Sequence, residues 1–241
     1  MQLPRRTLLL AALFLLPAAP LAAQSAADPS GHWEGAIQAP NMEVRFEIDL
    51  AKNSKGELAG SFGQPAENLR GLPLANFAMD GRSIDFQIKG SAAGQRTFKG
   101  ALSADGASMS GDFSQAGFTV PFSLTRTGDA RVDTPARNAS IGKELEGTWN
   151  GTVDVNGLQR RLVLTLANQP DGAATGNVLN VDEGLEIPIS AITQKGSSVT
   201  LDVKAVGGSF SGALNAEGTE LVGTLTQGSA VEPVTFRLAR P

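Results

Sequence analysis

The stretch Gly31-His32-Trp33-Glu34-Gly35 decides the fold, because it returns as Gly147-Thr148-Trp149-Asn150-Gly151 and the segments after it return in the same order. Phe98-Lys99-Gly100-Ala101-Leu102, for example, is matched by Phe210-Ser211-Gly212-Ala213-Leu214. The tryptophans lie 116 residues apart, which is too long for a solenoid repeat. A unit of about 95 residues can bury a core of its own, so we interpret the chain as a duplicated domain.

Alternating apolar and polar residues predict that each copy is a series of β-strands. Across Val44–Leu50 the apolar and the charged side chains fall on opposite faces of one strand. Pairs such as Asp80-Gly81 and Asp105-Gly106 follow such runs, and they suit tight hairpins because Asp and Gly tolerate positive φ. Each copy holds about eight such runs. We therefore predict an all-β fold of two tandem eight-stranded antiparallel up-and-down barrels.

The N-terminus has the pattern of an export signal. Arg5 and Arg6 form a positive region, Leu8 to Leu16 an apolar core, and Ala22-Ala23-Gln24 a cleavage region. The predicted organisation is a cleaved signal peptide over residues 1–23, a first barrel over 28–126, a linker over 127–146 and a second barrel over 147–240. We expect a periplasmic or extracellular protein with no membrane span after cleavage.

Composition excludes several classes of function. The chain has no cysteine, which rules out disulfides, thiolate metal sites and a lipid-modified N-terminal cysteine. Its 20 Lys and Arg stand against 24 Asp and Glu, and losing Arg5 and Arg6 deepens the net charge from −4 to −6. A negative net charge disfavours binding to nucleic acid, whose backbone is also negative.

Strand phase predicts which residues face the barrel interiors. Phe98, Gly100 and Leu102 share one face, and Phe210, Gly212 and Leu214 do so in the second copy. Glycine weakens a strand, so glycines on an apolar face require a packing reason. We expect that reason to be room for the large rings of Trp33 and Trp149.

A glycine and a tryptophan on the first strand, with an arginine on the last, resemble the lipocalin pattern. The matching residues are Gly31, Trp33 and Arg126 in the first copy, and Gly147, Trp149 and Arg240 in the second. The resemblance implies that each tryptophan closes one end of its barrel and that the arginine packs over the ring, contributing about 0.5–2 kcal/mol. The whole mature chain also resembles modules that precede the catalytic domains of exported bacterial serine hydrolases.

Residues that could carry catalysis or bind a metal are sparse. His32 is the single histidine, and Thr148 replaces it in the second copy, so we predict a structural position on the strand surface. A lone histidine also argues against zinc. Glu47 with Asp49 and the turn residues Asn180, Asp182 and Glu183 could be acid–base groups or calcium ligands, but we interpret them as a solvated face and a turn. We therefore predict a protein that is not an enzyme and that uses no metal or cofactor.

Gln115 and Gln227 are the candidate ligand-binding residues. Each lies two residues beyond an inward apolar residue, so its amide should face the barrel mouth opposite the tryptophan. We expect the loops 64–71 or 180–186 to frame that mouth. A hydrogen bond that closes a turn is the alternative role. The favoured function is the binding of a small apolar ligand. The alternative is a protein- or glycan-interaction module that serves an envelope hydrolase or another envelope protein.

Overall fold

The computed structural model describes residues 27–90, 94–131, 137–155 and 157–239. The predicted signal peptide, residues 1–23, lies outside the described residues. All but a few short 3-10 turns of the regular structure is β-strand. The all-β prediction is therefore confirmed.

The first copy is a closed barrel of eight antiparallel strands. Each strand pairs with the next along the chain, and β1 pairs with β8 to complete the ring. This half confirms the prediction of an eight-stranded up-and-down barrel. The strands are β1 (Gly31–Ala39), β2 (Met42–Lys52), β3 (Leu58–Gln64), β4 (Leu69–Asp80), β5 (Ser83–Ile88), β6 (Arg96–Leu102), β7 (Ser108–Gln115) and β8 (Phe118–Gly128).

The second copy is a nine-stranded half-barrel, whereas a closed barrel of eight strands was predicted, so that part of the prediction is not confirmed. It is called the second barrel below. Its hydrogen-bonded order is β12-β11-β10-β9-β17-β16-β15-β14-β13, so the two terminal strands of the sheet are neighbours along the chain. The strands are β9 (Gly147–Val155), β10 (Leu158–Asn168), β11 (Ala174–Asn180), β12 (Leu185–Pro188), β13 (Ala191–Lys195), β14 (Ser198–Val203), β15 (Gly208–Leu214), β16 (Glu220–Gln227) and β17 (Ala230–Leu238).

The extra strand arises because the counterpart of β4 is interrupted after Pro188. Ile189 and Ser190 form the interruption, and they bond to opposite ends of the sheet. The Ile189 N–H donates to the Gly176 carbonyl of β11 at 3.0 Å, whereas the Ser190 N–H donates to the Asp202 carbonyl of β14 at 2.7 Å. The chain therefore crosses from one terminal strand to the other at this point.

The two halves fill their interiors differently. Phe46, Phe62, Phe86 and Phe122 surround Phe98 in the first barrel, with ring centroids 4.9 to 6.3 Å from its own. The second half buries two phenylalanines, Phe210 and Phe236, whose ring centroids lie 5.6 Å apart. Much of its remaining interior is aliphatic, as at Leu164, Leu166, Val199, Leu201 and Leu221.

Within the segment predicted as a linker, residues 127–146, the described residues 127–131 and 137–146 pack on the two halves. β8 continues to Gly128, and the Arg131 N–H donates to Asp49 on the first barrel. On the second barrel, the Asn138 side chain accepts from the Ile192 N–H at 2.9 Å and donates to the Ala174 carbonyl. Ile141 and Leu145 are buried there. Residues from Asn138 onward therefore belong structurally to the second half.

Candidate functional site

Each tryptophan lies near the start of the first strand of its half and is completely buried. The Trp33 indole N–H donates to the Pro29 carbonyl at 2.9 Å, and the Trp149 indole N–H donates to the Leu145 carbonyl at 3.1 Å. Both rings are thus tied to the segment that leads into the barrel. They fill one end of each barrel, and the cavity described below lies away from both rings.

Arg126 lies over Trp33, and the Cζ atom of its guanidinium is 4.7 Å from the ring centroid. Its Nη2 also donates to the Asp28 carbonyl at 2.7 Å, which joins the last strand to the leading segment. In the second half the residue opposite Trp149 is Leu238. Arg240, predicted to cap Trp149, lies outside the described residues.

The inward glycines make room for phenylalanine rings, not for the tryptophans as expected. A β-carbon on Gly100 would lie 2.9 Å from Cζ of Phe122. In the second half, a β-carbon on Gly212 would lie 2.5 Å from Cζ of Phe210. The tryptophans instead lie at the barrel end, where the leading segment accepts their N–H groups.

The open mouths of the two barrels share one cavity of about 910 Å³. Its wall combines residues of the first half with residues of the second, and most of them are apolar. The apolar part of the wall includes Ile37, Val44, Phe62, Phe113, Val120, Val153, Leu162, Val178, Ile187 and Leu225. The predicted mouth loops, residues 64–71 and 180–186, both contribute to this wall, but they frame a single joint chamber.

Two neighbouring connections on each barrel hold the mouths together. In the first barrel, the β3–β4 connection brings Asn68 against Gly207, and the β5–β6 connection brings Gly90 into a β-bridge with Leu185. Lys89 Nζ also lies 2.7 Å from Glu186 Oε1. These contacts come from the β11–β12 and β14–β15 connections of the second half. One side of the joint is therefore closed.

The remaining mouth connections are hairpins, and each carries an exposed apolar residue. In the first barrel, the β1–β2 and β7–β8 hairpins lie across the mouth from the two connections that contact the second half. In the second half, the β9–β10 and β16–β17 hairpins lie across the mouth from its two contacting connections. Met42, Phe118, Leu158 and Val231, at or beside the four hairpin tips, are 61%, 77%, 61% and 59% exposed. The two barrels therefore contact each other on one side of the cavity, and the four exposed apolar residues lie on the opposite side.

Both candidate glutamines line the shared cavity. Gln227 donates from Nε2 to the Val206 carbonyl at 3.0 Å, so part of its amide closes the adjacent turn. Gln115 lies opposite Arg96 in the strand register. With its amide oxygen turned toward the guanidinium, that oxygen accepts from Nε and Nη2 of Arg96 at 3.2 Å each. Its Nε2 remains available at the wall.

The wall of the shared cavity also contains charged residues that were not predicted from the sequence. Arg96 and Arg160 line the cavity, and Glu183 lies between them in the second half. Arg160 Nη1 is 3.6 Å from Glu183 Oε1. Burial lowers the pKa of Arg96, and the nearby charge of Glu183 opposes that shift. Strand phase could have found Arg96, because it shares its face with the inward Phe98.

The loop that carries Glu183 is anchored by its neighbour Asp182. The Asp182 carboxylate accepts from the Arg161 backbone N–H at 2.8 Å and from the Arg161 guanidinium at 2.6 and 2.9 Å. These hydrogen bonds, the backbone one first, lower the pKa of Asp182. Arg161 thus holds Asp182 in place. Asp182, which was considered as a calcium ligand, instead stabilises this turn through Arg161.

His32 and Asp49 are buried, whereas a strand-surface position had been predicted for both. His32 Nδ1 lies 2.8 Å from Asp49 Oδ1, and His32 Nε2 lies 3.2 Å from Glu34 Oε1. Asp49 Oδ1 also accepts from the Arg131 N–H at 2.7 Å. The residues face away from the barrel interior, but the segment after β8 covers them. Their location is separate from the shared cavity.

We expect His32→Leu to lower the free energy of unfolding by about 1–3 kcal/mol, because it removes a partner from the buried Asp49 carboxylate. Urea denaturation followed by circular dichroism measures the change. Adding Asp49→Leu to His32→Leu should recover part of the loss, since no buried carboxylate then lacks its partner. A single variant within 0.5 kcal/mol of the wild type (about the ordinary effect of a surface change) would show that the pair contributes nothing.

The described residues contain no group of three or more His, Asp or Glu side chains placed to hold a metal ion. Within the same residues, no helix is long and apolar enough to cross a membrane.

Comparisons with known proteins give distant likenesses alone. No protein-family model matches the chain, and no curated protein matches it. A solved structure of a "putative outer membrane protein" from Bacteroides fragilis shares 10% identity, with 88% of this chain and 98% of that chain covered and a TM-score of 0.28. A protein of unknown function from the DUF3598 family of Nostoc punctiforme shares 11% identity, with 87% and 96% covered and a TM-score of 0.23.

TM-scores below 0.5 do not establish a common fold between two chains. The similarity to modules of exported serine hydrolases stays a prediction, since none of these comparisons names such a protein.

Proposed function

We propose that this protein is a non-enzymatic, exported binding protein that carries a small apolar ligand in the cavity shared by its two barrels. The cavity itself supports the proposal, because it measures about 910 Å³ and its wall is mostly apolar. Ligand sites usually measure about 300–1,000 Å³ and combine such a wall with a few polar groups. At about 30 Å³ per water-sized group, the volume suits a ligand of roughly 30 heavy atoms.

The two glutamines supply polar contacts in this proposal. Gln115 and Gln227 lie on the cavity wall in corresponding strands, β7 and β16, one on each barrel. Each already uses part of its amide within the protein, which fixes the direction of the rest. We expect the free amide atoms to orient a ligand, while the apolar wall provides most of the binding free energy.

Nile red, a neutral dye whose fluorescence rises in apolar surroundings, tests the cavity directly. We expect saturable binding to the wild type and at least tenfold weaker binding to Leu225→Trp, because the larger ring fills part of the cavity. Val222→Trp is the matched control, since Val222 lies on the same strand, faces outward and is 51% exposed. Equal Kd values for Leu225→Trp and the wild type would place the dye elsewhere and remove the support for this proposal.

An interaction module is the second candidate, and the exposed hairpin tips support it. Phe118 is 77% exposed, and exposed apolar clusters commonly mark surfaces that bind other molecules. An envelope partner would then contact the hairpin rim, and the cavity would remain a structural consequence of the joint. Met42→Ser combined with Leu158→Ser separates the candidates, because both residues are 61% exposed and neither lines the cavity. The double change should weaken partner capture while leaving the equilibrium Kd for Nile red unchanged.

A further inference from the structure

The charge distribution of the cavity bears on the chemistry of its ligand, and Arg96 is the central residue. It begins β6 and shares the inward face of that strand with the buried Phe98. Its Nη1 donates to the Gly94 carbonyl at 3.4 Å, and its Nε and Nη2 face the Gln115 amide oxygen. A guanidinium has five N–H donors, so these contacts leave two of them for another acceptor.

Within the described residues, no carboxylate lies within 4.0 Å of the Arg96 guanidinium. Glu183 is the acidic group that acts on it, but Glu183 Oε1 is already 3.6 Å from Arg160 Nη1. This part of the wall therefore holds two cations and one anion. The other carboxylates of the wall, Glu67 and Glu232, belong to the β3–β4 connection and to the beginning of β17.

A partly buried cation without an ion-pair partner is electrostatically unfavourable, because it loses hydration without gaining a counter-charge. The lowered pKa of Arg96 has burial as its largest cause, which agrees with that placement. An anionic group bound at the free donors would remove the imbalance. Guanidinium groups match the planar geometry of carboxylates and phosphates with two parallel hydrogen bonds.

We propose that the ligand is a single-chain amphiphile whose oxyanion head group binds Arg96 and whose apolar chain lies in the shared cavity. This inference rests on the proposed function, because it assumes that the cavity is occupied. Carboxylate and phosphate monoester heads share the required chemistry.

The direction of the chain follows from the packing of the two halves. Phenylalanine rings fill the first barrel around Phe98, so little depth remains beneath the Arg96 wall. The second half presents smaller aliphatic side chains to the cavity at Val153, Leu162, Val178 and Leu225. The chain therefore extends from the first barrel across the joint and into the mouth of the second.

Competition with Nile red tests this assignment by using palmitate, hexadecyl phosphate and 1-hexadecanol on the full chain. We expect one or both anions to bind about 10- to 100-fold more tightly than the alcohol, because only an anion supplies the counter-charge that the guanidinium lacks. Which anion binds better identifies the head group. Arg96→Gln should remove the preference, because it weakens the binding of the anions far more than the binding of hexadecanol. Arg96→Lys, which keeps the charge, should retain part of it.

Lys99→Gln is the matched control, since Lys99 lies on the same strand, points outward and has a side chain that is 69% exposed. It should leave all three Kd values unchanged. Glu183→Gln should act in the opposite direction to Arg96→Gln and tighten anion binding, because it removes the carboxylate whose charge acts on Arg96.

Equal binding of the alcohol and the anions to the wild type would overturn the assignment, as would an anion preference that survives Arg96→Gln. Absence of competition by all three compounds would also overturn it. The proposed function is tested separately: it is supported if Leu225→Trp weakens Nile red binding and contradicted if it does not.

Discussion

Trp33→Ala should lower the free energy of unfolding by about 3–5 kcal/mol, the usual loss when a buried aromatic residue becomes alanine. The ring is completely buried, donates to the Pro29 carbonyl and supports the Arg126 guanidinium, so the variant loses packing, a hydrogen bond and a cation–π contact together. Urea denaturation followed by circular dichroism measures the change.

The chain has two tryptophans, so each single variant keeps one as a fluorescent reporter in the other barrel. In Trp33→Ala, the emission of Trp149 should report a second half whose unfolding midpoint is little changed. Trp149→Ala should give the reciprocal result. Trp33→Phe serves as a milder control, because it keeps an aromatic ring but removes the N–H donor. A Trp33→Ala protein that keeps wild-type stability and loses Nile red binding would instead make the ring part of the binding site.

The duplication carried most of the information about the fold. Alternation in Val44–Leu50 and its counterparts predicts strands because one face of each must be apolar, and a closed ring follows from consecutive hairpins. The split of the fourth strand in the second half was missed. Pro188 lacks an N–H group and precedes the interruption, but a proline can also occupy a strand end without breaking the sheet.

The joint between the barrels could not be predicted, because it depends on connections and not on a periodic face. Gly90 forms its β-bridge with Leu185 although Gly90 itself lies outside the strands of the first barrel. The burial of His32 was missed for the same reason, since it depends on the path of the chain at Arg131. Arg96, in contrast, carried a readable signal: a charged residue in phase with Phe98 faces the interior.

Separating the halves should abolish ligand binding without abolishing folding. We expect residues 27–131 and residues 137–241, expressed individually, each to unfold cooperatively, because each contains its own strands and its own buried tryptophan. Neither should bind Nile red with the affinity of the full chain, because the wall of the cavity is divided between them. The second fragment begins before Asn138, since the hydrogen bonds of that side chain to Ile192 and Ala174 belong to the second half.

Mixing the fragments should restore little binding at micromolar concentration. The contacts that join the mouths include a β-bridge at Gly90 and the Lys89–Glu186 ion pair, and an exposed ion pair contributes only about 0–1 kcal/mol. The covalent connection through residues 132–136 supplies a high effective concentration that free fragments lack. If the second fragment alone binds Nile red with the Kd of the full chain, then one barrel suffices and the shared cavity is not the site. If neither fragment folds alone, the duplicated halves depend on each other for stability. That result would contradict the interpretation of the chain as two independently folding barrels.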